Sequence, residues 1–273
     1  MGLSDPDYKG LIEQNFKIVD KEGQLVTFLL NKIQNKYLTK DYTGRDIILK
    51  ARQQGFSSLI TAIFTADFIL REHSYSVVVA DIEENAVGLL SKVKKYIESY
   101  ETINNIKVPL KYNSKYELYN PFMDTTYKIG TAKNIDFGRS KTLTNLHLSE
   151  VAYYPDIEGI IAGAGQALVE SGRLILETTA NGFNDFKKLW DIAKNKKSIY
   201  NPLFYNASEF YSPEFLEKKR NDPALGARYA QEYPENDTEA FLTSGNCYFD
   251  KESLRVYIES VKTPLIDGLV YAN

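Results

Sequence analysis

The chain has 273 residues, 43% of them hydrophobic and 25% charged, with a formal net charge of -3. A chain of this length and composition buries a large core, which excludes a disordered, collagenous or coiled-coil protein. Cys247 is the only cysteine and there are two histidines, so a disulfide framework is excluded and a Cys/His zinc site is not expected. No apolar run approaches the roughly 20 residues of a membrane-spanning helix. Residues 1–10 are polar and lack a signal-peptide pattern, so an intracellular protein without a membrane anchor is expected. The slight acidity argues, though weakly, against nucleic acid as a partner.

In chain order, residues 46–49 predict a short buried strand and residues 57–71 a helix. Leu59, Ile60, Ile63, Phe64, Phe68 and Ile69 form a wide apolar stripe on that helix. Residues 75–80 predict a strand, with Val77, Val78 and Val79 at its centre. A helix follows over 83–100, where Val87, Leu90, Val93 and Ile97 recur at helical spacing and Lys92, Lys94 and Lys95 lie between them. Residues 116–119 and 125–129 alternate polar and apolar around Asn120-Pro121 and predict a hairpin. Further strands are expected at 143–148 and 173–176, with a helix over 160–169 between them. Beyond Asn181-Gly182 a helix is expected over 183–193, then a lysine-rich stretch and short helices up to about 233. The alternation of strand and helix predicts an α/β protein with a largely parallel sheet covered on both faces.

Residues 50–57, Lys-Ala-Arg-Gln-Gln-Gly-Phe-Ser, join the first strand to the first helix, where backbone N–H groups can surround a phosphate. Against G-x-x-x-x-G-K-[ST] only Gly55 and Ser57 match; Lys50 replaces the first glycine and Phe56 the lysine. The plainer reading is a strand-to-helix turn with Ser57 capping the helix. If phosphate binds, Lys50 and Arg52 are the cations at hand, Arg52 can fork onto two oxygens, and Ser57 turns its hydroxyl toward Mg²⁺. The strand at 143–148 leads to Ser149-Glu150. An acidic pair at such a position holds Mg²⁺ and polarises water, but here only Glu150 remains of the pair. Asp81 ends another strand in the same way, as a candidate supporting group. Thr178, Thr179 and Asn181 follow a third strand, where a γ-phosphate could be sensed, although Asn-Gly alone predicts a turn. His147 reads as a packed core residue, and so do Trp190, Phe183 and Phe186.

Together these segments resemble the ATPase half of large terminases, the motors that package DNA into viral capsids. The resemblance runs from about residue 28 to 249 and rests on residues 50–58, 146–150 and 178–182, and on Gln231-Glu232-Tyr233-Pro234 followed by Glu239-Ala240-Phe241. It implies a P-loop NTPase fold of the ASCE type: a mostly parallel central sheet flanked by helices, with a small helical lid subdomain. It also implies ATP and Mg²⁺ as ligands. Gln34 resembles the glutamine that reads adenine. Lys50, Arg52, Gln53, Gln54, Gly55, Phe56, Ser57 and Ser58 resemble a divergent phosphate loop (Walker A). Ser57 and Glu150 are the implied metal residues, and Glu150 and Arg52 the implied catalytic ones. Arg139 resembles an arginine finger reaching a neighbouring subunit, a device that can contribute roughly 10³–10⁵ in turnover. Thr178, Thr179 and Asn181 resemble the motif coupling hydrolysis to movement.

The resemblance further implies translocation of double-stranded DNA in the host cytoplasm of a bacteriophage infection. The implied partners are a portal protein, a small terminase subunit and further copies in a ring, the isolated chain being a monomer. Lys187, Lys188, Lys194, Lys196 and Lys197, with Lys218-Lys219-Arg220, could supply sequence-neutral phosphate contacts. Residues 1–245 are expected to be the motor domain, with 183–245 as lid, and 246–273 the start of a linker. A terminase nuclease, with clustered aspartates, would lie beyond; Asp250 and Asp267 are the only aspartates in that last stretch, so cleavage is expected of a longer protein and not of these residues. Ser149 and Phe56 depart from the family pattern and suggest a slow isolated enzyme, and the acidic net charge suggests weak DNA binding by the isolated domain. The alternatives are a helicase-like ASCE motor, or a nucleotide-binding module that docks on the portal without hydrolysing ATP.

Overall fold

Strand β3 is the first long apolar run. In the computed structural model it spans Arg45–Lys50, and every residue from Asp46 onward is buried, as a strand covered on both faces requires. The structure describes residues 7–133, 141–242, 256, 257 and 260. Arg139 and nearly all of the expected linker lie outside the described residues.

Ahead of β3 come α1 (Tyr8–Asn15), a small hairpin of β1 (Lys17–Val19) and β2 (Leu25–Thr27), and α2 (Lys32–Lys36), which runs on into a π-helical turn at Tyr37–Asp41. After β3 follow α3 (Phe56–Leu70), β4 (Tyr75–Ala80), α4 (Glu83–Asn104) and three strands, β5 (Tyr112–Asn113), β6 (Glu117–Asn120) and β7 (Thr125–Thr131). Strand β8 (Leu143–Ser149) leads through α5 (Ile157–Ala164) to β9 (Leu168–Thr178). The chain then runs through α6 (Asp185–Lys194), β10 (Asn201–Tyr205), α7 (Pro213–Arg220), α8 (Tyr229–Glu232) and α9 (Asp237–Leu242).

The main sheet has the order β10-β3-β9-β8-β4-β7-β6-β5. From β10 to β7 every pairing is parallel, and β6 and β5 join antiparallel. Alternate residues of the strands serve different layers. Ile48, Val78 and Ile175 pack under α1, α3 and α4, whereas Ile47, Leu49, Val77, Val79, Leu174 and Leu176 pack against α5, α6 and α9. A third cluster, Ala51, Ala207, Leu216, Tyr229 and Tyr233, joins the C-terminal helices to the end of β3.

Three expectations change. The helix expected at 160–169 begins earlier and ends at Ala164, because Asp156 caps it by accepting from the Gly159 N–H at 2.7 Å. From Leu168 the chain is strand, since Leu143 of β8 pairs with Leu168. Strand β10 was not expected at all. It contains Pro202, a residue that a sheet tolerates at its edge, and among the described residues β10 is an edge strand paired with β3 alone. It lies inside the stretch 183–245 expected to form the lid, so the part of that stretch beyond the main sheet is 206–242. Phe183, expected in the core with Phe186 and Trp190, is 63% exposed, while the other two are buried.

One polar cluster is fixed deep between α1, α3 and β9. Arg173 Nη1 donates to Asp67 Oδ2 at 2.6 Å, Arg173 Nη2 to Tyr8 Oη at 2.6 Å, and Tyr8 Oη to Asp67 Oδ1 at 2.7 Å. Asn145 Nδ2 adds a bond to Asp67 Oδ2 at 2.9 Å. A buried charge pair needs this degree of hydrogen bonding to offset its lost hydration. Among the described residues no helix is long and apolar enough to cross a membrane.

Candidate functional site

The carboxyl ends of β3, β8 and β9 converge on a cavity of about 490 Å³. Its lining includes Lys50, Arg52, Gly55, Ser57, Lys92 and Glu150. Crevices beyond strand ends are where ligands bind in open α/β sheets.

The loop between β3 and α3 is held open by its surroundings. Gln53 and Gly55 have left-handed φ angles of 57° and 84°. Asn31 Nδ2 donates to the Gln54 carbonyl at 3.1 Å and Gln34 Nε2 to the Gly55 carbonyl at 2.8 Å. Gln54 Nε2 donates to Asn206 O at 2.8 Å, the Arg52 N–H to Glu232 O at 2.8 Å, and Tyr211 Oη to Arg52 O at 2.6 Å. With the carbonyls turned outward, the backbone N–H groups from Gln53 to Ser58 find no acceptor among the described residues. A row of such donors at the start of a 15-residue helix is suited to an anion.

Lys50 is 4% exposed, and its ammonium lies 3.2 Å from Glu150 Oε1 and 3.2 Å from Glu177 Oε2. Burial alone would lower the Lys50 pKa, but the two carboxylates outweigh it and hold the ammonium above its usual value. Glu177 is fully buried. Its Oε1 accepts from Ser149 Oγ at 2.6 Å and from Ser57 Oγ at 2.7 Å, with His147 Nε2 at 3.4 Å. Burial opposes ionisation there too, yet Lys50, His147 and Ser149 keep the Glu177 carboxyl well below the usual carboxylate range. Glu150 differs: it sits at φ 57°, its side chain is 30% exposed, and burial raises its pKa against the pull of Lys50. Its Oε2 is 3.4 Å from both the Thr179 N–H and Thr178 Oγ1.

The expected residues are thus largely brought together. Lys50, Arg52, Gln53, Gly55, Phe56, Ser57, Ser58, Glu150, Thr179 and Asp81 all line the cavity. Arg52 also pairs with Glu232, Nη1 to Oε2 at 3.2 Å. Both ends of the Gln34 amide are engaged, Oε1 by the Asn31 N–H at 3.0 Å and Nε2 by Gly55, so here Gln34 clamps the loop. The Phe56 ring is buried against Tyr37 and Tyr205, at 5.5 and 4.9 Å between ring centroids. Asn181 Nδ2 and Asn184 Nδ2 both donate to Ala152 O, wrapping the 178–184 segment around the turn after Glu150. Of the expected lysine face, Lys187, Lys188 and Lys194 are paired with Asp191, Asp185 and Asp237, which leaves Lys196 and Lys197 without carboxylate partners among the described residues.

Sequence reasoning missed Glu177, Lys92 and Tyr153, and quoted Glu232 within a motif without giving it a role. Glu177 carried a signal, a lone acid in an apolar strand. Lys92 did not, since a lysine between apolar helix positions reads as solvent-facing. Its Nζ instead donates to Ser58 Oγ at 2.8 Å, and burial lowers its pKa against the pull of Glu177. Tyr153 Oη bridges Thr179 Oγ1 and Gln231 Nε2, both at 3.2 Å.

The chain matches no protein-family model and no curated protein. Solved structures are similar. The large terminase ATPase domain of Thermus phage P74-26 is 16% identical, with a TM-score of 0.58 over 74% of this chain and 92% of that one. The large terminase of bacteriophage HK97 is 21% identical, with a TM-score of 0.59 over 86% of this chain and 50% of that one. A large terminase from another phage, described as a thermophilic bacteriophage and solved in complex with ADP, is 16% identical, with a TM-score of 0.55 over 75% and 52%. The chain therefore spans about half the length of the HK97 protein and of the ADP-bound one. The fold is that of these structures, an α/β fold with a mostly parallel central sheet flanked by helices.

Proposed function

We propose that this chain is the ATP-hydrolysing motor part of a large-terminase-type protein that drives double-stranded DNA into a phage capsid. The observation that carries the proposal is the Lys50 ammonium, set between Glu150 and Glu177 beneath a loop whose N–H groups from Gln53 to Ser58 lack acceptors. The thermophilic-phage terminase whose structure contains ADP supports a nucleotide as the ligand of that loop.

The donor set fits a magnesium nucleotide: unsatisfied N–H groups for phosphate oxygens, a hydroxyl at Ser57, and a carboxylate at Glu150 partly open to the cavity. Bound Mg²⁺ would neutralise phosphate charge and polarise the phosphoryl oxygens. Ser57 and Glu150 are the residues that would hold it. Lys50 and Arg52 offset phosphate charge in place of a lysine at position 56. Glu150, its pKa raised by burial, orients a water and accepts its proton as the water oxygen bonds to the γ-phosphorus and the bond to the leaving ADP oxygen breaks. The Thr179 N–H steadies the far oxygen of the same carboxylate.

Coupling runs through the 178–184 segment. Thr178, Thr179 and Asn181 touch Glu150 or the turn after it, and Tyr153 carries the contact on to Gln231. Residues 206–242 act as the lid, tied to the loop through Arg52 and Glu232. Lys196 and Lys197, with Lys218 and Arg220 further on, are the basic residues left to contact DNA phosphates, Lys219 lying near Asp222. The portal protein, the small terminase subunit, further copies in a ring and the host cytoplasm complete the proposal, as does DNA cleavage by a longer protein.

Phosphate release by the wild type and by Glu150→Ala, with and without double-stranded DNA, tests the reading. Loss of general-base action should cost about 10²–10⁴-fold in rate. Equal, negligible release by both proteins, in either condition, would reject hydrolysis and leave a nucleotide-binding module.

A further inference from the structure

Position 149 lacks the carboxylate that an acidic pair would place beside the metal. We infer that Glu177 supplies it from the adjacent strand, as the positioning residue that orients Ser57 for Mg²⁺. The inference rests on the ATPase reading and deepens it.

Three observations carry it. First, Ser149 and Glu177 are partners in the β8–β9 register, and the Glu150 N–H donates to Glu177 O at 2.8 Å, so the two positions lie at one level of the sheet. A side chain can therefore be exchanged between them with little change in the space it fills. Second, Glu177 Oε1 receives both the Ser149 hydroxyl at 2.6 Å and the Ser57 hydroxyl at 2.7 Å. An ionised carboxylate only accepts, so each serine must spend its one hydrogen on it. The lone pairs of Ser57 Oγ are then turned away from Glu177, and Ser57 lines the cavity. A hydroxyl fixed this way is a ready metal ligand, with its orientation set by a group one bond further out. Third, an aspartate at 149 would stand beside a fully buried Glu177, and two carboxylates sharing one dry site cannot both ionise freely. Serine at 149 is thus the complement of glutamate at 177.

Lys50 answers the remaining oxygen, Glu177 Oε2, at 3.2 Å. A plain counter-ion for Lys50 would need only that contact. The pair of hydroxyl bonds on the opposite oxygen, one of them from the loop, is what the positioning role explains.

The test compares nucleotide affinity with Mg²⁺ and with EDTA, which reads the metal's contribution without requiring turnover. Wild type should bind ATP more tightly with Mg²⁺, and Mn²⁺ should give a nucleotide-dependent bound signal in paramagnetic resonance. Glu177→Gln should lose about 10- to 100-fold of that metal-dependent gain. The charge-transposed variant Ser149→Asp/Glu177→Ser should recover most of it, and because it keeps one carboxylate at the same level of the sheet it also serves should Glu177→Gln fail to fold. A Glu177→Gln protein that is less stable but keeps the wild-type ratio of affinities would overturn the inference, as would a folded transposed variant without metal dependence. Absence of ATP binding by the wild type would instead reject the ATPase reading itself.

Discussion

Gln34 and Gly55 are joined so closely that a side chain at position 55 would have to push the Gln34 amide aside. The Gln34 amide donates to the Gly55 carbonyl at 2.8 Å, and a Cβ built on Gly55 would lie 2.7 Å from the same nitrogen. The φ of 84° adds a second penalty, because L side chains avoid that region. Gly55→Ala should cost about 1–3 kcal/mol of stability in thermal denaturation. It should also weaken ATP binding at least tenfold by turning the loop N–H groups. Adding Gln34→Ala relieves the contact but removes the amide's bonds to Asn31 and Gly55 and leaves the φ strain, so the stability should not return.

Lys50 is the hinge of the charge arrangement. Lys50→Met leaves Glu177 buried without its cation, a change that costs about 3–5 kcal/mol in comparable buried pairs. Chemical denaturation should show that loss. Lys50→Met/Glu177→Gln should recover most of it, because no uncompensated buried charge remains. A double variant no more stable than Lys50→Met would contradict the pairing.

The same pair sets a pH dependence. Glu177 is held below its unfolded value, so the stability it contributes is present above about pH 4.3 and lost as pH falls through the folded pKa. Lys50 is held above its unfolded value, so its contribution is full below about pH 10.4 and lost as pH rises through the folded pKa. Denaturation midpoints against pH should therefore fall at both extremes in wild type, and fall less on the acid side in Glu177→Gln. Glu150, shifted the other way, should place the acid limb of the hydrolysis rate above the range of an ordinary glutamate.

Lys92 lines the cavity and has no carboxylate partner among the described residues. Holding such an ammonium half-buried costs stability. Lys92→Met should leave the ligand-free melting temperature unchanged or higher, yet reduce ATP affinity. One charged hydrogen bond to phosphate corresponds to about a 10- to 100-fold loss. Calorimetric titration together with melting curves separates the two effects, and a drop in melting temperature with unchanged affinity would reject the phosphate contact.

The sequence made some of this legible because periodicity reports layers. Residues 47–49 and 77–79 are unbroken apolar runs and read as buried strands, 143–148 carries Leu143, Leu146 and Leu148 around its polar residues, and the loop at 50–57 followed from the join to α3. Strand β10 escaped because Asn201 and Pro202 look like a turn, and only the exposed edge of β3 makes a strand of them. The end of the helix near 164 escaped because Leu168 and Val169 suit helix or strand equally until β8 pairs with them. At the site, Glu150 could be found from its place after a strand. That Lys50 answers two carboxylates, and that one of them stands on β9, depends on which strands are neighbours. Glu177 stood out as a lone acid in an apolar strand, but which strand lies beside it is a tertiary fact that the local sequence does not carry.

Helix α3 is fastened to β9 twice, once at each end: Ser57 to Glu177 at the cavity, and Asp67 to Arg173 below. Ten residues of helix and four of strand separate the two fastenings, about 15 Å and about 13 Å of length. Two bolts at matching distances turn a helix and a strand into one stiff plate, with Tyr8 wedged against its lower bolt. Such a plate neither slides nor pivots on itself. Any stroke the molecule makes must then be carried by what leans on the plate: residues 206–242, which reach it through the loop and through α9, packed against Leu174 and Leu176.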